Sequence, residues 1–350
     1  MTLFRRRDSP AVRALVASIA VALILATVAT LGARHNWFLE LFCHFRWQYV
    51  LAATLATPLV WLCGMRALAV VCAVTLLVHL PALGFQRFAN TSTHAPTNAD
   101  FIAARSLRVV SFNVFYMSRA YARLIAYVER TSPDVVCLYE TTVDWQRQLA
   151  PLTEKFAFSL FVGDGPHTGI ACMSRSAPLR VVAPPADVRQ APWIRFELDL
   201  GGPPVTIYGV HLAYPVAPAR AATRNRQLLA LGRELGTLGG PAVVVGDFNL
   251  SPYSPYSDDF VTTSRLRDCS RGRPLEPTWP TWFAPLWIQI DRCFISSGVS
   301  VARYQVDPAI GSDHYPLLME FRIERADRTL ANTPRSIERP QPRVIRGNSP

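Results

Sequence analysis

Three long stretches without a charged side chain open this 350-residue chain. Twenty residues separate Arg13 from Arg34, 19 separate Arg46 from Arg66, and 20 separate Arg66 from Arg87. A helix needs about 20 apolar residues to cross a bilayer. The windows therefore predict three transmembrane helices at the start of the chain.

The first window could instead belong to a signal peptide, because Arg5–Arg7 precede it. Its core, Ala14–Ala33, exceeds the roughly 7–15 residues of a signal-sequence core, and two more apolar windows follow. We therefore interpret residues 1–87 as a membrane anchor that is retained in the mature protein. Under the positive-inside rule, the arginines before the first window place the N-terminus in the cytoplasm. Three spans then place the rest of the chain outside the cytoplasmic membrane.

The net charge of +11 would ordinarily indicate an anionic partner such as nucleic acid. Much of this excess lies in two terminal segments. The stretch from Arg322 to Pro350 carries seven arginines against three acids, and the first 13 residues carry four arginines against Asp8. The charge therefore reflects the orientation of the anchor and a basic tail more than a binding surface.

Composition divides the remainder of the chain into three parts. Residues 88–105 are polar and rich in turn formers, which predicts a linker. Residues 323–350 are rich in Arg and Pro and lack hydrophobic periodicity, which predicts a disordered tail. Between them, residues 106–322 alternate β-rich and helical segments. This pattern predicts an α/β domain with two packed sheets flanked by helices.

Polar residues interrupt the apolar strands of this domain where the strands begin or end. One Asn or Asp after a strand is usually a turn residue, but its repetition points to side chains that converge on one rim of a sheet. The positions are Asn113, Glu140, His211, Asp247, Asn249, Asp291, Asp313 and His314.

The segments around these positions resemble, in order, the motifs of the endonuclease/exonuclease/phosphatase superfamily over residues 105–322. They are Val109–Asn113, Pro133–Glu140, Thr168–Arg175, Gly209–Leu212, Val245–Asn249, Ile290–Asp291 and Gly311–Pro316. The resemblance implies a four-layer α/β sandwich. The plan of three spans, a linker and this domain is similar to a bacterial membrane-anchored branch that includes the VanJ-type glycopeptide-resistance proteins. This similarity implies a multi-pass protein of the bacterial inner membrane.

The resemblance also implies a set of roles for these side chains in phosphoester hydrolysis. Asp247 orients or deprotonates the attacking water, and Asn249 positions the water or the phosphate. Imidazoles donate to phosphoryl oxygens, and Asp291 is the partner of one of them. The implied catalytic residues are His211, Asp247, Asn249, Asp291 and His314, and the implied ligands of Mg²⁺ or Mn²⁺ are Asn113, Glu140 and Asp313. The sequence departs from the family at Tyr139, where Gln usually precedes the catalytic Glu.

An aromatic loop, residues 278–287, precedes Asp291 and contains Trp279, Trp282, Phe283 and Trp287. Two interpretations stay open for this loop: a hydrophobic plug over a sheet edge, or a substrate wall close enough to the bilayer to contact lipid. Among the cysteines of the domain, Cys137, Cys172 and Cys293 lie in apolar strands and are expected to be buried. The sequence assigns no disulfide.

The function predicted from these features is a metal-dependent phosphatase or phosphodiesterase that acts outside the cytoplasmic membrane on a phosphorylated lipid or similar envelope substrate. One alternative is a nuclease of the same fold, with Arg220, Arg224 and Arg226 as basic contacts to nucleic acid. Another is a non-catalytic binding module tethered to the membrane. The sequence leaves the oligomeric state open.

Overall fold

The structure is a computed structural model that describes residues 9–81, 83, 105–163, 165, 167–182, 192–273 and 276–324. The predicted linker lies outside the described residues except for Arg105, which begins the first strand. The predicted tail also lies outside them beyond Glu324.

The N-terminal part of the chain forms a small helical bundle. Its long helices are held together by small side chains, among them Ala20, Ala69 and Cys72, and His79 Nε2 lies 3.1 Å from Thr27 Oγ1. The helices are α1 (Pro10–Leu31), α2 (Trp37–Leu41), a 3-10 turn (Phe42–Phe45), α3 (Arg46–Leu62) and α4 (Arg66–Leu80).

The prediction of three transmembrane helices is corrected by the lengths of these elements. Within the described residues, α1 alone is long and apolar enough to cross a membrane, with 22 residues. Helices α3 and α4 have 17 and 15 residues. The charge-free windows are longer than the helices because a turn at Cys63–Met65 ends α3 and because α4 stops before Pro81.

Two mixed β-sheets form the centre of the larger domain. Within the described part of the chain there are twelve strands: β1 (Arg105–Asn113), β2 (Val135–Tyr139), β3 (Phe158–Val162), β4 (Ile170–Ser174), β5 (Arg180–Val182), β6 (Trp193–Leu198), β7 (Val205–His211), β8 (Ala242–Asp247), β9 (Arg267–Asp268), β10 (Asp291–Ile295), β11 (Val299–Val306) and β12 (Leu317–Ile323). One sheet has the order β11-β12-β1-β2-β4-β3, and the other has β5-β6-β7-β8-β10-β9. Neighbouring strands are antiparallel except β1–β2 and β7–β8.

Helices cover the outer face of each sheet. Apolar side chains such as Leu107, Val245 and Phe321 fill the space between the sheets. Further apolar clusters pack α5 and α6 on the first sheet and α8 and α9 on the second. These helices are α5 (Tyr121–Thr131), α6 (Val143–Gln148), α7 (Ala150–Thr153), α8 (Pro218–Gly236) and α9 (Pro255–Ser264). The predicted architecture of two packed sheets flanked by helices is confirmed.

The cysteines of this domain divide into a bonded pair and a free pair. Cys269, which directly follows β9, forms a disulfide with Cys293 in β10. The expectation that Cys293 is buried is met, but it is bonded rather than a free thiol. Cys137 and Cys172 face each other across β2 and β4 as buried thiols.

Candidate active site

Three adjacent strands place polar residues at one edge of the second sheet. His211 ends β7 and Asp247 ends β8, and the two residues are register partners in this parallel pair. Asp291 begins the antiparallel strand β10 and is the register partner of Asp247 on its other side. Gly246 lets β7 and β8 approach, because a Cβ there would lie 2.0 Å from the carbonyl oxygen of Val210. The Asp247 carboxylate therefore lies between an imidazole and a second carboxylate.

Hydrogen bonds join this edge to the first sheet. Asn113, the last residue of β1, donates its side-chain N–H to Asp247 Oδ2 at 3.0 Å. The backbone N–H of Asn249 donates to Asp247 Oδ1 at 2.9 Å. The Nε2 atoms of His211 and His314 each lie 3.9 Å from Asp247 Oδ2, beyond hydrogen-bond distance. Two buried imidazoles thus flank one buried carboxylate at the seam between the sheets.

His314 is paired with Asp291, as the resemblance implies. Its Nδ1 lies 2.8 Å from Asp291 Oδ2, and both side chains are buried. Burial alone would lower the pKa of His314, but the nearby carboxylates of Asp291, Asp247 and Asp313 raise it to about 10. His314 is therefore an imidazolium at neutral pH.

His211 and Asp247 have pKa values that are shifted mainly by burial. Burial lowers the pKa of His211 to about 4, so its ring is neutral at physiological pH. Burial and the charge of Asp291 raise the pKa of Asp247 to about 7, against the opposing effect of His314. A carboxyl group with a pKa near neutrality is suited to exchange a proton with water.

Glu140 follows β2 and adopts a left-handed backbone with φ of 60°. Its Oε2 accepts the backbone N–H of Tyr116 at 3.2 Å, and its Oε1 lies 3.1 Å from His167 Nδ1. Burial opposes ionisation of Glu140, but His211 and these two hydrogen bonds lower its pKa overall. Glu140 is thus a negatively charged ligand candidate on the first-sheet side of the cluster.

His167 is a site residue that sequence reasoning missed. Its ring lies between two tyrosine rings, with centroids 4.4 Å from Tyr116 and 4.9 Å from Tyr214. The guanidinium of Arg220 lies 4.2 Å from the Tyr214 ring. His167 belongs to none of the strand-end motifs, so the sequence alone offers no signal for it. A chain of contacts therefore runs from Glu140 through His167 and Tyr214 to Arg220.

Asp313 is held by the base of the aromatic loop. Trp279 Nε1 donates to Asp313 Oδ2 at 3.1 Å, and the backbone N–H of Thr281 donates to the carbonyl oxygen of Asp313. Thr278 Oγ1 accepts the backbone N–H of Asp291 at 3.0 Å. The loop therefore holds Asp313 and Asp291, the two acidic residues that lie next to His314 in space.

Strained backbone is concentrated around the site. Two of the non-glycine residues with positive φ in the described chain, Ser132 and Arg265, end helices. The others are Phe115, Glu140, His167 and Asn249. The left-handed turn at Asn249 directs its side-chain N–H to the carbonyl oxygen of Leu212 at 2.9 Å. Such conformations cost free energy and persist where the surroundings impose them.

Tyr139, which departs from the family pattern, joins the two sheets. Its buried hydroxyl donates to the carbonyl oxygen of Val245 and lies 3.0 Å from Ser111 Oγ. This hydrogen bond therefore links Tyr139, which directly precedes Glu140, to Val245, which lies two residues before Asp247.

The donor set fits a hard divalent cation. Mg²⁺ and Mn²⁺ prefer carboxylate and carbonyl oxygens, which Glu140, Asp313 and Asn113 can supply. Ligand atoms of Asp247, Asp291 and His314 also lie within 4.8 Å of one another, so these residues form a possible metal site. Asp291 Oδ1 is buried without a hydrogen-bond partner among the described residues.

The two-sheet α/β sandwich thus carries at its seam the acids, amides and imidazoles that phosphoester hydrolysis requires. A family model described as the Endonuclease/Exonuclease/phosphatase family matches residues 110–314. The chain belongs to this family, whose members are phosphoester hydrolases.

Solved structures share the fold at low sequence identity. An endonuclease/exonuclease/phosphatase from Beutenbergia cavernae is 21% identical, with 63% of this chain and 72% of that chain covered and a TM-score of 0.50. A humanized TDP2 of D. rerio is 17% identical over 62% and 98% of the two chains, with a TM-score of 0.52. The 3′ phosphatase NExo from Neisseria, bound to a product DNA hairpin, is 19% identical over 61% and 99%, also at 0.52. No curated protein matches the chain.

Proposed function

We propose that this protein is a membrane-anchored, divalent-metal-dependent phosphoester hydrolase of the VanJ-type branch. It acts outside the cytoplasmic membrane on a phosphorylated lipid or a similar envelope substrate. The observation that carries the chemistry is the environment of Asp247 Oδ2, which accepts a hydrogen bond from Asn113 and lies 3.9 Å from two imidazole nitrogens. This arrangement places a base beside two potential donors to a phosphoryl group.

Asp247 accepts a proton from the attacking water. Because the pKa of Asp247 is about 7, a substantial fraction of its carboxylate is ionised at neutral pH, and this carboxylate is basic enough to take a proton from water. Asn113 and the backbone N–H of Asn249 fix the orientation of its carboxylate. The Asn249 side chain, fixed by its bond to Leu212, helps position the water or the phosphate.

The two histidines bind the phosphoryl oxygens in different charge states. His314 is positively charged because Asp291 raises its pKa, and its Nε2–H donates to an oxygen that gains negative charge. His211 is neutral and donates one N–H. Glu140, Asp313 and Asn113 would hold the cation, which would neutralise charge on the phosphate.

Membrane attachment is supported by the surface of the helical bundle. Helix α1 has the length and hydropathy of a span. Large apolar side chains point outward from all three long helices, including Leu25, Leu55 and Leu77. An exposed apolar surface of this kind is unusual for a soluble protein and suits lipid contact. Helices α3 and α4 would be about 26 and 23 Å long, short for a bilayer core of about 30 Å unless it thins.

An extracytoplasmic position is supported by the Cys269–Cys293 disulfide, since disulfides persist mainly in oxidising compartments. The segment between α1 and α3 also contacts the catalytic domain, for example through Glu40 and Arg224. The segment between α1 and α3 and the catalytic domain must therefore lie on the same side of the membrane. This requires that α3 and α4 either both cross the membrane or both stay on that side. A single crossing by α1 with a cytoplasmic N-terminus satisfies this condition.

A nuclease is the second candidate, because TDP2 and NExo have been solved with DNA. Of the arginines considered for nucleic-acid contact, Arg224 is fully buried and paired with Glu40, which leaves Arg220 and Arg226 exposed on α8. Two exposed arginines are a small basic surface for a DNA backbone. Plasmid nicking at low salt that disappears in Asp247→Ala would favour the nuclease.

The test is a substrate panel for the detergent-solubilised full chain, with Mg²⁺ or with EDTA. The panel contains polyprenyl phosphates and pyrophosphates, phospholipids, plasmid DNA and a generic soluble phosphodiester. We expect metal-dependent hydrolysis of at least one lipid and little DNA cleavage. Hydrolysis of DNA alone would contradict the proposed substrate class.

A further inference from the structure

Buried polar contacts attach the segment between α1 and α3 to the catalytic domain. The carboxylate of Glu40 is fully buried, where it accepts hydrogen bonds from Arg224 Nη2 and from Ser254 Oγ. Nearby, His44 Nδ1 lies 2.8 Å from Ser251 Oγ, and both side chains are buried. A buried charge is tolerated only when it is well paired. These contacts therefore fix the orientation of the catalytic domain relative to the helical bundle.

A separate hydrogen bond attaches the aromatic loop to the start of α3. Gln48, in the first turn of this helix, donates its side-chain N–H to the carbonyl oxygen of Trp287 at 2.7 Å. The backbone of the loop thus lies at the end of α3 that faces the catalytic domain. If α3 enters the bilayer, this end is at the membrane surface.

Aromatic side chains around this hydrogen bond are exposed. Trp282 is 67% exposed, Phe283 45% and Trp287 39%, while Trp47, next to Gln48, is 51% exposed. The rings of Trp282 and Phe283 stack on each other with centroids 5.8 Å apart. Exposed aromatic rings at the end of an apolar helix are typical of the layer between lipid tails and water.

The base of the same loop reaches the active site. Trp279 and Thr281 donate hydrogen bonds to Asp313, and the Trp287 ring lies 6.4 Å from the ring of Tyr315. The loop therefore connects the residues beside His314 with the first turn of α3. A loop tip in the membrane surface places this edge of the active site within a short distance of the lipid headgroups.

We propose that the aromatic loop and Trp47 lie in the interfacial layer of the bilayer, and that the enzyme hydrolyses phosphoesters of lipids that remain in the membrane. This inference rests on the proposed function and deepens it. The occupant of the exposed aromatic surface is lipid rather than a protein partner, because Gln48 makes that surface continuous with the apolar exterior of α3.

The kinetic test uses the full chain in vesicles and compares a long-chain lipid phosphate with a water-soluble phosphodiester. The Trp282→Ser/Phe283→Ser double variant should lower the ratio of kcat/KM on the bilayer substrate to that on the soluble substrate by about 10-fold. Leu229→Ser is the matched control, because Leu229 is an exposed apolar residue on α8, and it should not change the ratio. An unchanged ratio in the double variant, or an equal loss on both substrates, would overturn the proposal.

A fluorescence measurement separates this inference from the proposed function. Wild-type protein in vesicles with lipids brominated near the headgroup should show tryptophan quenching, part of which Trp282→Phe removes. Quenching without hydrolysis of any lipid would contradict the proposed substrate and support the placement of the loop. Equal quenching in Trp282→Phe and in the wild type would contradict the placement, whatever the activity.

Discussion

Asn113 and Asp247 end strands in different sheets, and the side-chain amide of Asn113 donates to the Asp247 carboxylate at 3.0 Å. This hydrogen bond fixes the carboxylate where the two sheets meet. The imidazoles of His211 and His314 lie on either side of the same oxygen. The alignment of the sheets therefore determines the geometry of the proposed base.

Replacement of Asn113 by Ala should reduce kcat by about 100-fold while the fold is retained. The amide orients Asp247 and stabilises its ionised form, and catalytic hydrogen bonds of this kind contribute about 10²–10³-fold. Loss of the hydrogen bond should also raise the pKa of Asp247 above its value of about 7. The acidic limb of the kcat/KM profile should then move to higher pH. A profile and rate equal to those of the wild type would contradict this role.

Asp291→Asn should move the basic limb of the pH profile to lower pH. The Asp291 carboxylate is the main group that raises the pKa of His314 to about 10 against the effect of burial. Without this charge, His314 loses its proton closer to neutrality, and the enzyme loses a cationic donor as the pH rises. The measurement is kcat/KM on a soluble phosphodiester between pH 6 and 11. A basic limb that stays in place would show that His314 does not titrate in that limb.

Removal of divalent metal should abolish hydrolysis, and Mg²⁺ or Mn²⁺ should restore it. Glu140→Gln keeps the size of the side chain but removes a negative charge from the proposed ligand set. It should raise the metal concentration needed for half-maximal activity by at least about 10-fold. The control is Glu129→Gln, which alters an exposed carboxylate paired with Lys155 on the outer helix α5. An equal metal requirement in all three proteins would exclude Glu140 as a ligand.

The buried pair of Glu40 and Arg224 should stabilise the protein far more than the exposed pair of Arg34 and Asp259. Glu40→Gln leaves the Arg224 charge buried without its partner, at an expected cost of about 3–5 kcal/mol. Asp259→Asn removes an ion pair whose side chains are about half exposed, at a cost below about 1 kcal/mol. The midpoint of thermal unfolding in detergent measures both effects. Equal shifts would show that the buried pair does not hold the domain to the bundle.

Thiol accessibility should identify the disulfide. Without a reductant, the unfolded protein should react with alkylating reagent at Cys43, Cys63, Cys72, Cys137 and Cys172, and not at Cys269 or Cys293. Reduction should add the last two sites, as peptide mass spectrometry would show. Alkylation of Cys293 in unreduced protein from the native membrane would contradict both the disulfide and the support it gives to an extracytoplasmic domain.

The sequence predicted the two packed sheets because apolar strands and turn residues are local patterns. The expectation that the polar strand ends converge on one rim of a single sheet is wrong. Parallel pairing of β7 and β8 brings His211 beside Asp247, but Asn113 ends a strand of the other sheet, so the cluster forms where the two sheets meet. The uncharged windows overestimate the lengths of α3 and α4. The turn at Cys63–Met65 and the residue Pro81 end these helices, but neither carries a charge that would end a window.

The remaining features depend on contacts between distant parts of the chain. Glu40 and Arg224 are 184 residues apart, and Arg224 alone looks like part of a solvated helix face. His167 meets Glu140 only because the turn before β4 lies over the end of β2. The disulfide partner of Cys293 is fixed by the pairing of β9 with β10, and β9 has only two residues. No local pattern encodes these three relationships.

The most direct test of the central claim is phosphoester hydrolysis by wild-type protein and by Asp247→Asn, measured side by side with Mg²⁺ on a lipid phosphate in vesicles and on a soluble phosphodiester. We predict metal-dependent hydrolysis of both substrates by the wild type. Asp247→Asn should hydrolyse them at least about 100-fold more slowly while it remains folded at the assay temperature. Equal rates for the two proteins, or the same rate in EDTA, would contradict the assignment of this cluster as a metal-dependent phosphoesterase site.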